Sequence, residues 1–158
     1  MSVPEAPLPP STPSSGVPDP IVTITAYLDS NVLISASLAK DHKFLEFWRM
    51  HRATPAASMY AIGEVRRNLW LPAQHLRLDL LLAKTQMVAD ANQRIIPDGI
   101  DLPPKDRPIL AAAIAAKVHF LVTGDRKHFA TLYGRRIAGV EVISPADFLD
   151  RNAYRLML

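Results

Sequence analysis

Apolar positions run unbroken and β-branched from Ile21 to Leu28, which predicts a strand over about 21–28. Ser30 and Asn31 then supply capping side chains for a helix over about 31–39. A second helix is expected from Asp41 to near Arg52, carrying Phe44, Leu45, Phe47 and Trp48. Pro55 interrupts Ala53 to Ala57, so only a short strand or an extended link fits there. Met59, Ile62, Val65 and Leu69 recur at helical spacing and predict a helix over about 58–70 with that stripe inward. Beyond Pro72 the stripe is Leu76, Leu80 and Ala83. Leu78, Leu81 and Leu82 widen it, so this helix is expected to pack on two sides.

The second half repeats the alternation. A short strand fits 85–89, Pro97-Asp98-Gly99 is a turn, and Pro103-Pro104 is extended. An Ala-rich helix follows over about 106–117, then a strand over 118–123 and a short helical stretch between Arg126 and Tyr133. Val140 to Ile143 forms the last strand, and Ser144-Pro145 opens a helix over about 145–152. Strands alternating with helices imply an α/β fold whose mostly parallel sheet is covered on both faces. Ligands of such sheets lie beyond the carboxyl ends of the strands. Asp29 and Asp125 stand at two of those ends.

Composition narrows the classes. Residues 1–20 contain seven prolines among Ser, Thr and Gly and no Lys or Arg, the signature of a disordered tail ahead of a single domain over 21–158. No apolar stretch approaches the roughly 20 residues of a membrane span, and no secretory leader is recognisable. The absence of cysteine excludes disulfides, thiolate zinc sites and cysteine nucleophiles, and fits the cytoplasm. Net charge is +3; Glu5 and Asp19 are the charges of the first twenty residues, leaving 18 bases against 13 acids beyond them. A basic body around acidic residues suits a polyanionic substrate. The five histidines (42, 51, 75, 119, 128) lack zinc spacing; His119 reads as a strand residue and His128 as structural. Trp48 and Trp70 lie on apolar helical faces and read as core or interface.

The chemistry concentrates in Asp29, Glu64, Asp106 and Asp125. Singly, each has a structural explanation: a strand end, an exposed helical acid, an N-cap before proline, a tight turn. Together they follow one sheet-edge logic, and carboxylates gathered there hold hard divalent cations. Rival chemistries lack their residues. An aspartyl-phosphate enzyme wants a second acid where Asn31 stands, and no Gly-rich phosphate loop occurs.

Four segments carry a family resemblance. Leu28-Asp29-Ser30-Asn31-Val32-Leu33-Ile34-Ser35 resembles the opening motif of PIN-domain nucleases, and Ser58-Met59-Tyr60-Ala61-Ile62-Gly63-Glu64-Val65 the helix bearing their second acid. Lys105-Asp106-Arg107-Pro108-Ile109-Leu110-Ala111-Ala112-Ala113 is similar to the third motif. Leu121-Val122-Thr123-Gly124-Asp125-Arg126-Lys127-His128-Phe129 is similar to the fourth. The resemblance covers residues 24 to about 150. It implies a three-layer α/β/α sandwich and a divalent-metal endoribonuclease of the VapC-like, stand-alone bacterial kind. Many such members are toxins, which makes an antitoxin an expected partner beside the RNA substrate.

Phosphodiester hydrolysis needs an activated water and compensation of charge on the phosphate, and one or two Mg²⁺ or Mn²⁺ ions serve both ends. Asp29 and Asp125 are assigned as ligands, Asp106 completes the site, and Glu64 binds directly or through water. Ser30, Asn31 and Thr123 are expected to support the carboxylates. Arg66, Arg67, Lys105, Arg107, Arg126 and Lys127 crowd the same motifs and are expected to hold the phosphate backbone. A homodimer is a further expected association, through Phe47, Trp48, Leu78 and Leu82. The rival reading is a domain of the same fold that binds RNA or protein without catalysis.

Overall fold

A computed structural model describes residues 23–156 together with Pro4; the tail expected over 1–20 otherwise lies outside the described residues. Six strands form one sheet in the order β3-β2-β1-β4-β6-β5. They are β1 Ile24–Leu28, β2 Ala53–Ser58, β3 Gln86–Val88, β4 Phe120–Val122, β5 Arg136–Ile137 and β6 Val140–Ile143. Every pairing is parallel except β5 with β6. The helices are α1 Ser30–Leu38, α2 Met59–Arg67, α3 Pro72–Leu82, α4 Arg107–Ala115, α5 Arg126–Phe129 and α6 Pro145–Leu156.

Strand alternation divides the core in two. Tyr27, Leu121 and Val142 point to the face covered by α4, while Ala26, Leu28, Val122 and Ile143 point to the face of Val32, Leu33, Leu78 and Phe148. Helices on both faces complete the expected mostly parallel α/β/α arrangement. The central helix α4 is apolar all round and buries every residue from Ile109 to Ile114.

Several local expectations need correction. The segment after Asp41 is a 3-10 helix, His42–Trp48, rather than a full helix to Arg52. Ala53–Ser58 is the short strand expected there, and it lies inside the sheet despite Pro55. Its neighbours explain this: Arg52 O accepts from Ile24 N, so alternate residues place the Pro55 nitrogen on the β3 side. The β3 ladder begins only at Ala56, so the proline leaves no ladder bond unmade. The antiparallel β5 and a 3-10 turn at Gln93–Ile95 were not legible in the pattern.

The leucines of α3 reverse their expected roles. Leu78 is fully buried, while Leu76 and Leu80 are 60% and 63% exposed and Ala83 also faces solvent. Arg77 fixes this rotation by donating to the Ser37 carbonyl of α1. Met59 likewise faces out, although Ile62, Val65 and Leu69 are buried as expected. Phe47 and Leu78 are core, not interface, and Trp48 is half-buried with its Nε1 donating to Thr85. Trp70 is 86% exposed and is no part of the core. Within the described residues the exposed apolar surface is instead made of Met59, Trp70, Leu71, Leu76, Leu80, Met87 and Ile95. No helix of the described residues is long and apolar enough to cross a membrane.

Candidate metal centre

Strand order reverses at β1: β2 and β3 extend the sheet to one side, β4 and β6 to the other. Such a switch point opens a crevice beyond the strand ends because the following connections diverge. The Asp29 N–H donates to the Val122 carbonyl, closing the ends of β1 and β4 side by side. Asp29 and Asp125 therefore emerge together. Asp106 arrives at the start of α4 and Glu64 from α2, and all four acids line one cleft of about 280 Å³ with Ser30, Asn31, Ile34, Asn68, Lys105 and Gly124.

Asp29 is 3% exposed. Its Oδ1 accepts from the Ser30 N–H at 2.7 Å, and its Oδ2 from Thr123 Oγ1 at 2.8 Å and Asn31 Nδ2 at 3.3 Å. Burial nonetheless pushes its carboxyl up to about 6, against those hydrogen bonds and with help from the negative charges of Asp106 and Glu64. Asn31 also accepts the Gly124 N–H at 2.8 Å, tying α1 to the end of β4. Thr123 Oγ1 in turn accepts the Asp125 N–H at 3.1 Å. The supporting trio thus connects the two strand-end acids directly.

Asp106 is 7% exposed and stands at the N-cap position of α4, yet its side chain makes no capping bond. That removes the structural explanation for this acid. Its Oδ2 is buried without a hydrogen bond. It lies 3.1 Å from His128 Nδ1, but the alignment is wrong for a bond, and the ring nitrogen instead meets Asp125 Oδ2 at 2.7 Å. Burial raises the Asp106 carboxyl against the opposing pull of Lys105 and His128. At Asp125 burial also works against ionisation. There the His128 backbone N–H and imidazole outweigh it and hold the carboxyl below its ordinary range.

The donor set fits a hard dication. Two carboxyls are raised by burial and by the charge of neighbouring acids, and one buried carboxylate oxygen has no hydrogen bond; a bound cation relieves both costs. Only Asp106, Asp125 and His128 bring ligand atoms within 4.8 Å of one another among the described residues; Asp29 and Glu64 face the same cleft from farther off.

The basic residues separate. Lys105 lines the cleft, Lys127 a neighbouring 360 Å³ cavity, and Arg126 a 260 Å³ cavity with Tyr133 and Asp147. Arg66 is paired with Asp79 at 2.7 Å, Arg107 donates to the Ile100 carbonyl, and Arg67 is exposed on α2. Two further residues meet the site: His128, read from the sequence as structural, and Tyr60, which the sequence did not single out. His128 touches both Asp106 and Asp125; its signal was its place three residues after Asp125, where its N–H caps the α5 turn. Tyr60 donates to the Lys105 carbonyl at 2.7 Å and so fixes the turn that presents Asp106. A tyrosine one helical turn before Glu64 gave no sequence signal for that contact.

A family model described as the PIN domain matches residues 25–127, from β1 through the first turn after Asp125. The chain belongs to the PIN-domain family. Its PIN domain is similar in fold to a chain of the VapBC2 complex of Rickettsia felis, solved bound to a DNA fragment from the promoter of that pair. The likeness has a TM-score of 0.57 at 18% identity over 77% of this chain and 98% of that one. No curated protein matches it in sequence. The matched span contains Asp29, Glu64, Asp106 and Asp125, and the PIN fold accounts for their convergence at one sheet edge.

Proposed function

We propose that this PIN domain is a divalent-metal-dependent endoribonuclease. The observation that carries the reading is the convergence of four carboxylates from four separate elements on one cleft at the switch point. Asp29, Asp106 and Asp125 would hold Mg²⁺ or Mn²⁺, with Glu64 binding directly or through water. The ion, when bound, supplies an activated water and an electrophile for the phosphate oxygens.

The chain's own groups do the rest. Ser30, Asn31 and Thr123 hold the Asp29 carboxylate and His128 holds that of Asp125, which pre-organises the acids before substrate arrives. Lys105 in the cleft, with Arg126 and Lys127 beside it, holds the phosphates flanking the scissile bond. Glu64, lining the same cleft, would orient the attacking water. The likeness to a chain of VapBC2 extends the reading to a toxin held by an antitoxin in the cytoplasm. The exposed apolar surface around Trp70, Leu76 and Leu80 is the area available for such a partner or for a second copy.

A Mn²⁺ titration of the wild type beside Asp29→Asn and Asp125→Asn tests the metal site directly. Binding by the wild type that both folded variants lose is the expected result, followed by Mn²⁺-dependent cleavage of a mixed RNA pool. Equal binding by all three proteins would overturn the reading and leave a domain that binds RNA or protein without catalysis.

A further inference from the structure

We propose that His128 is itself a metal ligand and that it biases the centre toward Mn²⁺ over Mg²⁺. The inference rests on the metal-dependent reading above and goes beyond it in naming a nitrogen donor outside the carboxylate set.

Three observations converge on the imidazole. Its Nδ1 lies 2.7 Å from Asp125 Oδ2 and 3.1 Å from Asp106 Oδ2. Adjacent ligands of an octahedral ion with bonds near 2.1–2.2 Å stand about 3 Å apart, so the ring nitrogen is already spaced as a neighbour of each carboxylate oxygen, and all three atoms lie within 4.8 Å of one another. Asp106 Oδ2 is buried, aimed at this point, and has no hydrogen bond. Among the described residues no other group of three potential ligands meets the same spacing.

The ring also approaches from an unexpected side. His128 does not line the cleft of the four acids. It lines the neighbouring cavity with Asp101, Pro103 and Lys127, and its ring nitrogen meets Asp106 and Asp125, which line the cleft. An ion held there is shared by carboxylates facing the cleft and by an imidazole behind them. The His128 backbone N–H donates to Asp125 Oδ1, which holds the α5 turn in place beside the acid. That backbone bond survives any substitution of the ring.

A nitrogen donor changes ion preference by chemistry alone. Mg²⁺ keeps to oxygen ligands and near-ideal octahedra, whereas Mn²⁺ accepts imidazole more readily. The mixed set therefore favours Mn²⁺ beyond what carboxylates do.

Electron spin-echo modulation of Mn²⁺ bound to the full chain reads the ligand directly. A coupled nitrogen is expected in the wild type, shifted when histidine is labelled with ¹⁵N, and lost in His128→Asn, whose side-chain oxygen can stand near the Nδ1 position. The ratio of Mn²⁺ to Mg²⁺ affinity is expected to fall about tenfold or more in that variant, with Mn²⁺ still bound. Mn²⁺ bound with no nitrogen coupling, or coupling unchanged in His128→Asn, overturns the role of His128 and leaves the carboxylate site standing. A wild type that binds no Mn²⁺ removes both.

Discussion

Replacing Asp29 by Asn, without metal, tests the electrostatic account of the site most sharply. Burial raises this carboxyl from its ordinary 3.8 to about 6. A raised acid holds its proton more tightly in the folded chain than in the unfolded one. Its contribution to stability is therefore complete below about pH 4 and is lost as pH rises through about 6. The shift of about 2 units corresponds to about 3 kcal/mol at neutral pH. Asn carries no charge to desolvate, so the variant escapes this loss. An amide nitrogen in place of Oδ2 cannot accept from Thr123 or Asn31, which costs about 1–2 kcal/mol at every pH. Calorimetric melts of both proteins in chelator, from about pH 4 to about pH 7.5, isolate Asp29 because the other groups titrate in both. The difference in stability is expected to swing by about 3 kcal/mol toward Asp29→Asn over that range, a relative rise of roughly 6–12 °C in melting temperature. Saturating Mn²⁺ should reverse the order by stabilising only the wild type. A difference that stays constant with pH would refute the reasoning, because Asp29 would then carry no buried charge.

Leu78→Ala is expected to cost about 2–4 kcal/mol in urea denaturation and Leu76→Ala less than about 0.5, since only the first is buried; equal losses would mean α3 is rotated. Gly124→Ala places a Cβ 3.2 Å from Asn31 Oδ1, the acceptor of the Gly124 N–H, so a loss of about 1 kcal/mol is expected by the same assay. Tyr27→Phe strips the Ser58 hydroxyl of its buried partner and should cost about 1–2 kcal/mol; an unchanged denaturation midpoint would show that Ser58 bonds elsewhere. Lys105→Ala should weaken RNA binding across sequences and lower the salt slope of log K by about one, measured by fluorescence anisotropy at several salt concentrations.

The order of elements, the parallel sheet and the positions of Asp29 and Asp125 were legible in the sequence because each depends on neighbours along the chain. A β-branched run ends where its polar residue begins, and a parallel sheet puts that end at the ligand crevice. The four acids could be named for the same reason, each standing in a recognisable local segment. What the sequence could not decide was facing. Five leucines lie on α3, and periodicity chose Leu76 and Leu80 where the contact with α1 selects Leu78. Pro55 left a short strand and an extended link both open until the pairing register showed that β3 begins beyond it. His128 and Tyr60 gain their places through contacts with Asp106 and Lys105 from distant parts of the chain. Local sequence fixes which backbone conformations are cheap, but the rotation of a helix and the neighbours of a side chain follow from how separate elements exclude water together.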